Sequence, residues 1–111
     1  MSAITTHILD TARGQPAAGV PLLLEVRSGV AGWTAVSKGV SDSDGRARLL
    51  ETVRGPGTYR LTFDTGAYFS SVNAAGFYPE VQVVFEIADA ATHHHVPLLL
   101  SPFGYSTYRG S

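Results

Sequence analysis

The last nineteen residues of the chain, 93–111, read HHHVPLLLSPFGYSTYRGS and carry the strongest fold signal in the sequence. The apolar run 96–100 follows three histidines and precedes Ser-Pro-Phe-Gly, so two strands around a turn are expected. Side chains alternate across a strand, which puts His93 and His95 on one face and His94 on the opposite, mostly apolar face. Residues 108–111 contain an aromatic ring, a cation and a carboxylate, which indicates that this segment has a functional role.

Period-two alternation continues along the rest of the chain. It predicts strands at 4–9, 21–28, 33–40, 46–50, 59–64 and 80–87, in addition to the two C-terminal ones. The stretch 66–76 breaks the alternation, and there we expect a short helix at 67–72, capped by Thr65 and ended by Gly76. Eight short strands and one helix, with turns about every 8 to 12 residues, favour an all-β sandwich over a barrel, in a single domain spanning 1–111.

The pair Asp44-Gly45 is a strong hairpin signal, and it delivers Arg46 directly onto the following strand. Arg46 and Arg48 have the same parity and are expected on one face of that strand. Arg46 is either a solvated charge, the usual fate of arginine, or a donor fork that stabilises an oxyanion or an anionic ring.

Composition excludes several classes of protein. The net charge is −1 and the eight Lys and Arg residues are scattered, so no nucleic-acid partner is expected. The absence of cysteine excludes disulfides, thiolate zinc sites and cysteine nucleophiles. No apolar run approaches the roughly 20 residues that span a bilayer, and the first residues do not resemble a leader, so we expect a cytoplasmic protein without a membrane partner. The charged fraction of 15% suits a protein that hides extra surface in an oligomer.

The histidines permit three interpretations. His93 and His95 lie two apart and could chelate a metal ion, but no carboxylate or thiol of matching parity stands nearby, so no metal site is expected. His94 and, less strongly, His93 fit an exposed strand end. His7 and His95 lie inside strand patterns, where a satisfied structural histidine is common. If their strands are neighbours, the two imidazoles meet and can act as a general base near neutral pH.

Four blocks together resemble the 5-hydroxyisourate hydrolases, the transthyretin-related proteins. They are Thr-His-Ile-Leu-Asp at 6–10, Asp-Gly-Arg at 44–46, His-Val-Pro-Leu-Leu-Leu-Ser-Pro at 95–102 and Tyr-Arg-Gly-Ser at 108–111. The resemblance covers essentially the whole chain. It implies a transthyretin-like sandwich of two four-stranded sheets with one short helix, assembled as a homotetramer with active sites at the dimer–dimer interface.

The resemblance also implies an activity, the hydrolysis of 5-hydroxyisourate to 2-oxo-4-hydroxy-4-carboxy-5-ureidoimidazoline in urate degradation, without a metal or organic cofactor. Matched by motif, the catalytic residues are His7, Arg46, His95 and Ser111. The substrate contacts are His7, Arg46 and Tyr108. Which histidine is the base, and whether Ser111 acts through its hydroxyl or its carboxylate, stays open.

Two other functions compete with hydrolysis. A transthyretin-like carrier of small ligands of the thyroid-hormone type would have the same fold. Its channel should be open and lined by small or aliphatic groups, whereas His7, His95 and Tyr108 predict a shallow, polar one. A purely structural sandwich would explain the core but not the Tyr-Arg-Gly-Ser segment.

Overall fold

The structure, a computed structural model, describes residues 3–111, which form strands and one short helix. The strands are β1 (Ile4–Asp10), β2 (Gln15–Pro16), β3 (Pro21–Ser28), β4 (Gly32–Val40), β5 (Arg46–Leu50), β6 (Gly57–Phe63), β7 (Val81–Ile87), β8 (His94–His95), β9 (Leu98–Ser101) and β10 (Gly104–Thr107); helix α1 is Thr65–Ser71. The all-β class with one short helix is confirmed.

The strands form two sheets. One follows the order β4-β3-β6-β7, all antiparallel. The other contains six strands around β1, in the order β10-β9-β1-β2, with β5 and β8 also paired to β1. Strands β8 and β9 run parallel to β1 in one unbroken register, with Ile4 opposite His94 and Ile8 opposite Leu98. Each sheet is therefore four strands wide, as expected.

The structure has ten strands rather than eight because two of the four strand positions in the six-stranded sheet are each divided into two short strands. The predicted C-terminal strand is interrupted between His95 and Leu98, where Pro97 has no N–H to donate to the ladder. On the other edge of β1, the antiparallel partner is β5 beside residues 4–7 and the short β2 beside residues 9–10.

The core lies between the two sheets. The inner face of β1 places Ile4 and Ile8 there, both fully buried, and the outer face carries the half-buried Thr5, His7 and Leu9. The remaining fully buried aliphatic and aromatic side chains come from both sheets and α1, among them Leu24, Leu61, Phe63, Tyr68, Ile87, Leu98 and Leu100. Burying such side chains is the main stabilising contribution in a domain without disulfides.

Four local predictions were wrong. The Asp44-Gly45 turn does not close a hairpin, because β4 pairs with β3 and β5 pairs with β1 in the other sheet. The helix cap is Asp64, whose carboxylate accepts from the Ala67 N–H, while the Thr65 hydroxyl donates to the Tyr78 carbonyl.

The helix also ends before Gly76, since Val72 is the C-terminal cap and Asn73 has a positive φ of 55°.

His94 is not an exposed strand end. It is only 6% exposed on the core side of β8 and its Nδ1 lies 3.0 Å from the Thr92 carbonyl. Within residues 3–111, no helix has the length and apolar character needed to cross a membrane.

Candidate active site

A cleft of about 390 Å³ lies on the outer face of the six-stranded sheet. Its lining comes from β1, β5, β8 and the flanking segments: Thr5, Thr6, Asp42, Arg46, Ala47, Arg48, His93, His95 and Ser111. Polar and charged groups predominate in this lining. The cleft is therefore suited to a small polar ligand rather than an apolar one.

Strand pairing sets the positions of the charged groups. Thr5 lies opposite His95 on one side and opposite Arg48 on the other. His7 lies opposite Arg46 in the same face of β1 and β5. Side chains directly opposite one another on neighbouring strands have Cβ atoms about 4.5–5.5 Å apart. Two adjacent rows across the sheet thus bring imidazole, hydroxyl and guanidinium groups together.

The turn before β5 holds Arg46 in place. One carboxylate oxygen of Asp42 accepts from the backbone N–H of Asp44 at 2.9 Å and of Arg46 at 3.0 Å. The Arg46 N–H is the chief cause that lowers the pKa of Asp42 below its ordinary value. Gly45 completes the turn with a φ of 76°, and a Cβ there would lie 2.4 Å from the Ile8 carbonyl oxygen. The prediction that this turn sets the start of the Arg46 strand is confirmed.

His95 is held from two sides. Its Nδ1 lies 2.8 Å from the Thr5 hydroxyl, which is also 3.1 Å from Nε2 of His93. Its carbonyl accepts from the Gly110 N–H at 2.9 Å, in an isolated antiparallel bridge. A Cβ on Gly110 would lie 2.5 Å from the His95 ring, so glycine is needed for this close approach.

The surroundings of His95 favour its neutral form. Burial is the largest cause that lowers the pKa of its imidazole below the ordinary 6.5. The positive charges of His93, Arg46 and His7 lower it in the same direction. A neutral imidazole beside a guanidinium can accept a proton from water while the guanidinium stabilises negative charge.

Three of the predicted site residues line the cleft together: Arg46, His95 and Ser111. His7 does not line it but lies beside it, opposite Arg46. Tyr108 lies elsewhere in the chain's surface, lining a smaller pocket of about 140 Å³ that His95 also borders. Tyr108 is 59% exposed and, within a single chain, does not line the cleft that contains Arg46.

Six residues that line the cleft were not among the predicted site residues: Thr5, Thr6, Asp42, Ala47, Arg48 and His93. For Arg48 the signal was present, because it shares parity with Arg46. Thr5 precedes His7 by two residues and so shares its face, but threonine is so common in strands that its type gave no indication. Among residues 3–111, no group of three or more His, Asp or Glu side chains is placed to hold a metal ion.

Comparison with known proteins identifies the family of this chain. The model of the HIUase/Transthyretin family matches residues 4–110. The 5-hydroxyisourate hydrolase of Salmonella dublin is 48% identical over 110 residues, which cover 97% of this chain and 80% of that protein.

Two solved structures extend the comparison. Klebsiella pneumoniae 5-hydroxyisourate hydrolase has a TM-score of 0.86 and 36% identity, covering 99% of this chain and all of that one. Sea bream transthyretin in complex with thyroxine has a TM-score of 0.90 and 34% identity, covering 96% and 93%. On this sequence match and shared architecture, the chain belongs to the HIUase/Transthyretin family.

Proposed function

We propose that this protein hydrolyses 5-hydroxyisourate to 2-oxo-4-hydroxy-4-carboxy-5-ureidoimidazoline in urate degradation. The observation that carries the proposal is the cleft itself, where His95 and Arg46 line one polar cavity. The hydrolase from Salmonella dublin, at 48% identity, supports the choice of substrate. A carrier that only binds a hormone has no need of a neutral imidazole that can accept a proton beside a guanidinium.

The reaction is the attack of water on a ring amide carbonyl. His95, or His7 acting with it, accepts a proton from the attacking water. Arg46 polarises the carbonyl and stabilises the oxyanion that forms. Collapse of the tetrahedral intermediate breaks the carbon–nitrogen bond, and the imidazolium returns its proton to the departing nitrogen. Ser111 orients the water or a histidine.

Substrate binding uses His7 and Arg46 on the sheet, with Tyr108 as a further contact. Tyr108 lies outside the cleft of its own chain, so its contact with substrate requires an assembly of chains. We propose a homotetramer with its active sites at the dimer–dimer interface. Two features support assembly: β7 and β10 are edge strands, and Phe77 and Phe103 are 69% and 74% exposed. The single domain, the cytoplasmic location and the absence of nucleic-acid and membrane partners stay predictions.

The test is a coupled ultraviolet assay. Urate oxidase generates 5-hydroxyisourate, and its decay is followed with and without the purified protein. Decay well above the spontaneous rate supports the hydrolase. Decay at the spontaneous rate from folded protein contradicts it.

A parallel titration with thyroxine separates the alternative function. Sea bream transthyretin, 34% identical in sequence, was solved with thyroxine bound, which makes a carrier the second candidate. We expect no saturable binding of thyroxine at micromolar concentration. Saturable binding together with spontaneous-rate decay would establish the carrier instead.

A further inference from the structure

The Thr5 hydroxyl lies between two imidazoles. It is 2.8 Å from Nδ1 of His95 and 3.1 Å from Nε2 of His93. The two rings are nearly parallel, 20° apart, with centroids separated by 6.4 Å. A hydroxyl has a single proton, so it can donate to only one of the two imidazoles; when the two contacts act in series, it donates to one ring and accepts from the other. The three side chains therefore form a directional hydrogen-bond chain.

The chain has two possible directions. In the first, the hydroxyl donates to Nδ1 of His95, which is then unprotonated, and the ring proton is on Nε2. In the second, the Nδ1–H of His95 donates to the hydroxyl and the hydroxyl donates to His93. Of these two directions, only the second leaves Nε2 of His95 unprotonated and able to accept a proton. Since Nδ1 is occupied by Thr5, Nε2 is the nitrogen that remains to accept a proton from a water molecule in the cleft.

We propose that Thr5 and His93 are positioning residues that hold His95 in its Nδ1–H form and connect its ring to solvent. This inference rests on the proposed hydrolysis, because it assigns Nε2 of His95 as the base. His93 is exposed and lines the same cleft as the half-buried His95, so the chain ends at a solvent-accessible imidazole.

The chain also provides a route for a proton. When Nε2 takes a proton from water, His95 becomes an imidazolium. Its Nδ1 proton can pass to the Thr5 oxygen as the hydroxyl proton passes to Nε2 of His93. His95 is then neutral again, with the proton on Nε2, and His93 carries the charge; the reverse transfer returns the proton to His95 for the departing nitrogen. No bond between heavy atoms changes.

Surrounding charge fits this arrangement. Burial is the largest cause that lowers the pKa of His95, and His93, Arg46 on β5 and His7 on β1 lower it further when they carry positive charge. In the proposed chain His93 starts neutral, because its Nε2 accepts the hydroxyl proton. Arg48, Asp42 and Ser111 complete the polar lining of the cleft. At pH 8 His95 is therefore neutral, and its tautomer decides whether Nε2 can accept a proton from water.

The experiment is long-range proton–nitrogen correlation NMR of the full-length protein labelled with ¹⁵N-histidine, at pH 8. His95→Gln identifies the His95 signals. We expect His95 in wild-type protein to be protonated on Nδ1. A His95 protonated on Nε2 would overturn the proposal whatever the turnover, so this arm does not depend on any variant folding.

Two variants extend the test. Thr5→Val keeps the shape and removes the hydroxyl, and Thr5→Ser restores it. We expect Thr5→Val to shift His95 towards the Nε2–H tautomer. In serine proteases, losing the group that fixes the catalytic histidine's tautomer lowers kcat about 10⁴-fold; for a neutral hydroxyl we expect roughly 10- to 100-fold, mostly in kcat. Thr5→Ser should recover both the tautomer and most of the turnover.

The outcomes separate this inference from the proposed function. Wild-type protein without hydrolysis would refute the function. Active wild-type protein, with Thr5→Val unchanged in tautomer and kcat, would refute only the role of Thr5. His93→Ala tests the other end: an unchanged tautomer and kcat there would remove His93 from the chain.

Discussion

At the scale of single residues, the protonation of His95 controls the proposed chemistry. A protonated imidazole cannot accept a proton, and the pKa of His95 lies below 6.5. Neutral His95 therefore stays the major form at pH 6.5 and somewhat below it. We predict that the acidic limb of the pH profile of kcat/KM has its midpoint below 6.5. A midpoint at or above 6.5 would contradict the assignment of His95 as the base of the free enzyme.

Arg46 is expected to affect both the rate and this pKa. Losing one oxyanion donor costs about 2.7–4 kcal/mol, so Arg46→Ala should lower kcat roughly 10²- to 10³-fold. Removing its positive charge should also raise the pKa of His95, as measured by NMR titration. Arg48→Ala is the matched control, because Arg48 lines the same cleft but is not among the charges that lower this pKa. Equal pKa shifts in both variants would contradict a specific role for Arg46.

Parity and motif correctly predicted that His7, Arg46 and His95 lie on the outer face of one sheet, although His7 does not line the cleft. Their catalytic roles stay predictions. Thr5 was missed although it shares that face, since its importance comes from two distances that only the fold reveals. His94 was misjudged because a histidine beside two others gave no indication that its own ring faces the core.

At the scale of elements, the segment that follows β10 is packed against the active-site strand. Gly110 approaches the His95 ring so closely that an added Cβ would lie 2.5 Å away, and 3.2 Å from Pro97. We predict that Gly110→Ala displaces the ring and lowers kcat about 10-fold or more, because small misplacements of catalytic groups are costly. Gly104→Ala, whose Cβ would be 3.7 Å from the Ser101 hydroxyl, should leave kcat unchanged. Equal kcat in Gly110→Ala and wild-type protein would contradict this steric account.

The helix gives a prediction about stability. Asp64 accepts from the Ala67 N–H at 3.0 Å, which satisfies one of the free donors at the first turn. Asp64→Ala should lower the free energy of unfolding by about 1 kcal/mol, measured by urea denaturation. Ser70→Ala, at an exposed position of the same helix, should cost nothing. No loss of stability in Asp64→Ala would show that the cap contributes little.

The errors at this scale have a common cause. Asp-Gly specifies a tight turn locally, but it does not specify whether the next strand joins the same sheet. Likewise, Asp64 and Thr65 are both good capping residues, and the choice between them depends on which backbone N–H groups each can reach. Strand positions were predicted well because alternation reports burial directly.

At the scale of the whole molecule, the fold was predictable but the assembly was not. Two sheets four strands wide follow from eight predicted strand segments and the resemblance to a known family. A single sequence contains no information on which surfaces of two copies meet, and Tyr108 shows the consequence. The family resemblance implies that it contacts the substrate, yet within one chain it lines a different pocket from Arg46.

The proposed tetramer can be measured directly. Four chains of 11.8 kDa give a particle of about 47 kDa, which we expect in analytical ultracentrifugation at micromolar concentration. Specific activity should fall on dilution in step with dissociation, because Tyr108 would then lose access to the substrate. A monomer with full specific activity would contradict an interface site.

The most direct test of the central claim is the turnover of 5-hydroxyisourate by His95→Ala. The variant must first be shown by circular dichroism and sedimentation to fold and assemble as the wild-type protein does. We predict that kcat/KM falls about 10²- to 10⁴-fold, the usual contribution of a general base. Near-normal turnover from the folded, assembled variant would contradict hydrolysis by His95 in this cleft.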